Sequence, residues 1–178
     1  GQIWSGSAVV DEENQRMVAF FTYSEHETKR QSQGVAFSYD KGRTWEKYSG
    51  NPILTDSRED FRDPKVFRYE EKWVMILSGG DCVLLYESKD LIHWNQISSF
   101  KGNQESHTGV WECPDLFHVD GYDILVIGPM HLNEQKCTYL VGNMDYENCR
   151  FEPEITGEVD FGFDYYAPQS FEAPQGRR

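Results

Sequence analysis

Basic residues are scarce in this chain: its 178 residues carry 17 Lys and Arg against 30 Asp and Glu, a formal charge of -13. Such a balance repels a phosphate backbone and leaves no basic stripe for nucleic acid or an anionic membrane surface, so a neutral or cationic ligand fits better. No long apolar run suggests a membrane span. Cysteine is sparse too, and Cys82, Cys113, Cys137 and Cys149 form neither a Cys-x-x-Cys pair nor a dense framework. A zinc ribbon and a disulfide scaffold are therefore not indicated, and ordinary buried thiols are expected. The five histidines stand singly, so neither a metal nor a cofactor is assigned. An initiator Met is missing, and both Gly1 and the stretch Glu172 to Arg178 look like cut ends, so the lack of a signal peptide says nothing about the parent protein.

What is present is 38% hydrophobic and 15% aromatic residues, enough for the packed core of one globular domain. Helical periodicity is weak, and short β-rich runs alternate with turn residues. Ser7 to Asp11, Met17 to Tyr23, Gln33 to Tyr39 and Trp45 to Tyr48 form a first set of four, one blade's worth of a β-propeller. A second set starts at Pro64, with Lys65 to Tyr69, Trp73 to Ser78, Cys82 to Ser88 and Trp94 to Ile97. The third starts at Pro114, with Asp115 to Val119, Tyr122 to Ile127, Lys136 to Gly142 and a weaker Phe151 to Ile155, and a further cycle opens at Pro168. The predicted fold is all-β, three to four blades of a propeller.

The prolines mark a repeat: Arg62-Asp63-Pro64-Lys65-Val66-Phe67, Glu112-Cys113-Pro114-Asp115-Leu116-Phe117 and Tyr166-Ala167-Pro168-Gln169-Ser170-Phe171. The spacing of roughly fifty residues is that of radial or stacked repeat units. A second repeat is the turn Ser38-Tyr39-Asp40-Lys41-Gly42-Arg43-Thr44-Trp45, of Asp-box form, with Ser88 to Trp94 a degenerate relative. There the Asp accepts backbone hydrogen bonds, Gly takes the positive-φ position and Trp packs beneath, a stabilising device whatever the protein does. Trp73 and Trp94 read as blade packing.

In a propeller the residues entering each innermost strand ring the mouth of the central channel. Trp4-Ser5, Arg62-Asp63, Glu112-Cys113 and Tyr166-Ala167 fall there. Aromatic faces stack on sugar C–H groups and charged side chains bind hydroxyls, so this set suits a carbohydrate. Two facing carboxyl groups are also what glycoside hydrolysis requires. The flanks Trp111 and Cys113 are expected to disfavour the charged form of Glu112, and Arg62 to favour that of Asp63, dividing the acid and anionic roles. A single acid before a strand is more often a turn residue or a solvated acid, which remains the expectation for Asp115.

Trp4-Ser5-Gly6-Ser7-Ala8, Asp60 to Phe67, Trp111 to Phe117 and Asp164-Tyr165-Tyr166-Ala167-Pro168-Gln169 resemble, in order, the signature segments of glycoside hydrolase family 32, the invertases, levanases and inulinases. The resemblance implies a five-bladed propeller followed by a β-sandwich. Residues 1–178 would then be a partial catalytic domain without the first blade that carries the nucleophile, an Asp in an Asn-Asp-Pro segment, and without the last blade and the sandwich. It further implies Glu112 as general acid/base and Asp63 as transition-state stabiliser. Arg62, Trp4 and Ser5 would bind substrate, and Asp164 and Tyr165 lie in a matching segment as further contacts. The implied substrate is sucrose, a fructo-oligosaccharide or a fructan, cleaved with retention and without metal or cofactor, and the fragment alone would be inactive. Localisation would follow substrate: extracellular or periplasmic for a fructan, cytoplasmic for a sucrose type. Two alternatives stay open, a non-catalytic carbohydrate-binding propeller and an inverting pentosidase, whose carboxyl groups would stand about 6.5–9.5 Å apart.

Overall fold

Strand runs of six to ten residues pair with their chain neighbours because such hairpins close the smallest loops. The computed structural model describes residues 1–101, 109–130, 137–148, 150–173, 176 and 178, and all regular elements among them are strands. β1 (Gln2–Asp11), β2 (Arg16–Ser24), β3 (Gln31–Ser38) and β4 (Glu46–Lys47) form the first antiparallel sheet, with β5 (Leu54–Thr55) also pairing β3. The second is β6 (Arg62–Tyr69), β7 (Lys72–Ser78), β8 (Val83–Ser88) and β9 (Asn95–Phe100). β10 (Val110–Val119), β11 (Tyr122–Met130), β12 (Thr138–Asp145) and β13 (Arg150–Glu158) make the third. Strand β6 packs between β1 and β10, so the first strands of all three sheets converge as the inner strands of three propeller blades.

The middle blade is covered on both faces, and strand alternation divides its side chains between two cores. Trp73, Met75 and Leu77 of β7 join Val18, Phe20 and Val35 of the first blade. Val74 and Ile76 of the same strand join Trp111, Leu125 and Ile127 of the third. This is why β7 and β8 read as unbroken apolar runs. Trp94 sets its ring edge on Phe20 at 5.8 Å, so Trp73 and Trp94 are both packing residues.

Two expectations about boundaries need correction. All three inner strands begin earlier than expected, β1 at Gln2 rather than Ser7 and the other two ahead of their prolines, at Arg62 and Val110, so Pro64 and Pro114 sit inside strands at β-bulges. No fourth set of strands follows Pro168 among the described residues: the chain beyond β13 lies across the inner strands without ladder pairing. Of the cysteines, Cys137 is buried and Cys82 and Cys113 are only half-buried, all three as free thiols; Cys149 is outside the described residues.

Both Asp-box turns form on the β3–β4 and β8–β9 connections. Asp40 accepts from Thr44 N and Thr44 Oγ1 at 2.8 and 2.7 Å, and Gly42 has φ +82°. Trp45 Nε1 donates to Gly42 O, but the ring stays 42% exposed and does not pack fully beneath its turn. In the shorter relative Trp94 Nε1 donates to Leu91 O, and Leu91, at φ +68°, holds the place of the glycine. Its burial in the first core compensates for that conformation.

Candidate active site

Each inner strand carries one extra residue at its bulge, between Ile3 and Gly6, Arg62 and Lys65, and Glu112 and Asp115. A bulge bends the strand and re-aims side chains. The residue just before each repeat proline has left-handed backbone: Asp63 at φ +62°, Cys113 at +49° and Ala167 at +53°. Non-glycine residues rarely take that conformation, at a cost on the order of 1–3 kcal/mol each, and it gathers at functional sites. Asp63 and Glu112 are therefore not equivalent positions of the repeat. Asp63 corresponds to Cys113 and Ala167, and Glu112 to Arg62 and Tyr166.

Those three second-before-proline side chains meet. Arg62 Nε and Nη2 donate to Glu112 Oε1 at 3.0 and 2.9 Å, and Tyr166 Oη donates to Glu112 Oε2 at 2.6 Å. Gly128 O, directly across the ladder from Glu112, lies 3.0 Å from Tyr166 Oη as an alternative acceptor for its one proton. One step along the repeat, the Cys113 backbone N–H donates to Asp63 Oδ2 at 2.9 Å, joining the two bulges.

The first blade holds the backbone that aims Arg62 and Asp63. Gln31 Oε1 accepts from Phe61 N, Gln33 Nε2 donates to Phe61 O, and Thr22 Oγ1 accepts from Asp63 N. Thr22 in turn donates to Gln33 Oε1. Buried polar networks of this kind fix geometry when every member is satisfied.

Burial works against the charge of Arg62, but Asp60, 2.5 Å away, and Glu112 outweigh it and hold its pKa above the ordinary value. Burial raises the Asp63 pKa above the usual carboxylate value, against the opposing pull of the Cys113 N–H and Arg62. Arg62 does favour the ionised form of Asp63, as expected, but burial outweighs it. Arg62 turns to Glu112, leaving Asp63 Oδ2 3.9 Å from its Nε. Adjacent strand residues face opposite sides, so Trp111 enters the second core while Glu112 faces Arg62 and Tyr166. Burial, with Asp63 beside it, pushes the Cys113 thiol up to about 12.

These groups line a cavity of about 510 Å³. Of the residues singled out in the sequence, Trp4, Ser5, Arg62, Asp63 and Glu112 come together on its wall, whereas Asp164 and Tyr165 do not line it and are exposed. Tyr166 takes the place expected for that segment. Gln31, Asp60 and Met130 also line the cavity without being singled out. Gln31-Ser32-Gln33 is a polar run that opens β3 and is buried there, and its run of amides and a hydroxyl at the head of an otherwise apolar strand is the sequence signal for it. Asp115 is no solvated acid: it is 1% exposed and its Oδ1 lies 3.2 Å from Lys65 Nζ. Among the described residues no group of three or more His, Cys, Asp and Glu is placed to hold a metal ion. Chemically, the cavity offers a carboxyl group held by an arginine and a phenol, and a second, buried carboxyl one repeat away.

A family model, glycosyl hydrolases family 32 N-terminal domain, matches residues 1–178. The levanase of Bacillus subtilis (strain 168) is 42% identical over 96% of the chain, and the levanbiose-producing levanase of Geobacillus stearothermophilus 35% over 97%. The chain spans 28% and 47% of these two relatives. The GH32 β-fructofuranosidase of Bombyx mori superposes with a TM-score of 0.86 at 31% identity, over 97% of this chain and 41% of its own. A mutant of that enzyme has been solved in complex with sucrose. The domain such enzymes share is a five-bladed β-propeller, of which the three blades here are part.

Proposed function

The chain belongs to glycosyl hydrolases family 32, and from it we propose that the whole protein cleaves terminal β-D-fructofuranosyl residues from sucrose or fructans with retention of configuration. Likeness to two levanases supports a fructan substrate. The observation that carries the proposal is how Glu112 is held. Oε1 receives both Arg62 donors, and among the described residues Oε2 receives Tyr166 alone. A carboxylate oxygen has two acceptor sites, so Oε2 alone keeps one open, and it is the oxygen that carries a transferable proton.

In this mechanism Glu112 protonates the leaving oxygen, then deprotonates the water that releases the fructosyl enzyme. Asp63 stabilises the positive charge that develops at the anomeric carbon in both steps. Burial, which resists its ionisation, also strengthens its attraction for that charge in the water-poor cavity. Arg62 binds the same sugar, with Trp4 and Ser5 along the wall. This chain holds no Asn-Asp-Pro segment, the family segment from which the attacking carboxylate is expected, and the 178 residues alone are expected not to turn over. The test is Glu112→Gln in the full-length protein. Sucrose cleavage should fall by about 10²–10⁴-fold, and an activated aryl fructoside, which needs little protonation, should lose far less. Undiminished sucrose cleavage would exclude Glu112 as the acid.

A further inference from the structure

We propose that Lys65 and Asp115, which lie outside the cavity, position Tyr166 on Glu112 by clamping the strandless segment that carries it. The inference rests on Glu112 as the general acid. Both residues directly follow a repeat proline, as does Gln169. The bulges leave Lys65 on the same strand face as Arg62, and Asp115 on the same face as Glu112: Arg62 and Lys65 pair with Ser78 and Ile76, and Glu112 and Asp115 with Gly128 and Val126. Two polar tiers therefore cross the inner strands, one in the cavity and one a step below it.

In the lower tier Lys65 Nζ donates to Ser170 O at 2.6 Å and Gln169 Oε1 at 3.2 Å, and lies 3.2 Å from Asp115 Oδ1. Asp115 Oδ2 accepts the Ser170 backbone N–H in a short contact. Side chains from two blades thus hold both backbone groups of one residue, in place of a strand ladder. Gln169 Nε2 adds a bond to Cys113 O at 3.1 Å. Only Ala167, with its left-handed backbone, and the rigid Pro168 separate this anchor from Tyr166. A segment without ladder bonds is held only by such contacts, so loosening the anchor moves the phenol that Glu112 Oε2 needs.

The experiment compares kcat/KM for sucrose, a poor leaving group, with that for an aryl β-D-fructofuranoside, a good one, in the full-length protein. Lys65→Met and Asp115→Asn should lower the sucrose value about tenfold and leave the aryl value nearly unchanged. Lys65→Arg should restore most of the loss. In either clamp variant, adding Tyr166→Phe should cost less than about twofold more, because the hydroxyl is already misplaced. Equal losses on both substrates, or full additivity with Tyr166→Phe, would overturn the clamp. If the clamp variants fail to fold, Gln169→Ala, on an exposed side chain, must shift the same ratio, and an unchanged ratio overturns the proposal. Glu112→Gln separates the two levels. A ratio unmoved by it sinks both inferences, whereas a ratio moved by Glu112→Gln but not by the clamp variants sinks the clamp alone.

Discussion

Arg62 and Glu112, fifty positions apart, are joined by two hydrogen bonds of 3.0 and 2.9 Å onto one carboxylate oxygen. The same guanidinium also meets Asp60 and Gln31. It is the charge centre of the cavity, and its attention to Glu112 leaves Asp63 governed by burial.

Replacing Arg62 by Lys should reduce kcat/KM by about 10²-fold, because a compact ammonium cannot reach Glu112, Asp60 and Gln31 together. Arg62→Leu should also destabilise the protein by about 3–5 kcal/mol, since it leaves acids facing one another with no counter-charge. Steady-state kinetics and urea unfolding check the two effects separately.

Asp63→Asn should abolish turnover yet raise Tm at pH 7. The folded pKa of Asp63 lies above its unfolded value, so the native state binds the proton more tightly and loses stability as pH rises between the two values. Asn carries no charge to bury and can still accept the Cys113 N–H. The Tm gain should be present at neutral pH and vanish as pH falls below the ordinary carboxylate value of about 3.9. A gain that persists at pH 3 would point to another cause.

Gly128→Ala tests the place of the phenol without touching it. A Cβ there would stand 3.1 Å from the Tyr166 ring, so the ring must give by a few tenths of an ångström. An expected loss of up to about tenfold in kcat, with little change in unfolding midpoint, follows from that displacement. Wild-type kcat would show that Tyr166 contributes nothing by its position.

Asp40→Asn should lower Tm and leave kcat/KM unchanged, because its Asp-box turn is not part of the cavity wall. The Thr44 N–H and hydroxyl hold the Asp40 pKa down at about 2, from an ordinary 3.8. A depressed folded pKa contributes stability above the unfolded value and loses it as pH falls through the folded one. Wild type and variant should therefore converge in Tm as pH drops from 3.8 to about 2, followed by calorimetry.

Much of the fold was legible because its signals are local. Alternation along β2, the turn residues of both Asp boxes and the proline spacing each concern neighbours a few residues apart, and most strands came out within a few positions of where patterning put them. The starts of β1, β6 and β10 were missed because each inner strand opens ahead of a bulge that breaks its alternation, and in β6 and β10 the bulge also holds a proline, which normally argues against a ladder. The site was legible as a set of residue types, and Trp4, Ser5, Arg62, Asp63 and Glu112 do share one wall. Asp164 and Tyr165 stayed outside it, since in an irregular segment nothing periodic says which of three consecutive polar or aromatic residues turns inward; the left-handed backbone at Ala167 turns in Tyr166.

The sequence alone determined the repeat, the strand complement and the inventory of acids, a guanidinium and aromatics offered to the channel, because these depend on spacing and side-chain type. Only the tertiary structure decided which partner each charge received. Arg62 reaches Glu112 rather than its neighbour Asp63, and Lys65 reaches Asp115 and Ser170, because the bulges aim each inner strand's side chains across to the next segment. At Arg62 and Asp63 the balance between desolvation and Coulomb attraction is set partly by neighbours such as Asp60 and partly by groups fifty residues away, Glu112 and the Cys113 N–H, and over that distance composition and periodicity carry no information.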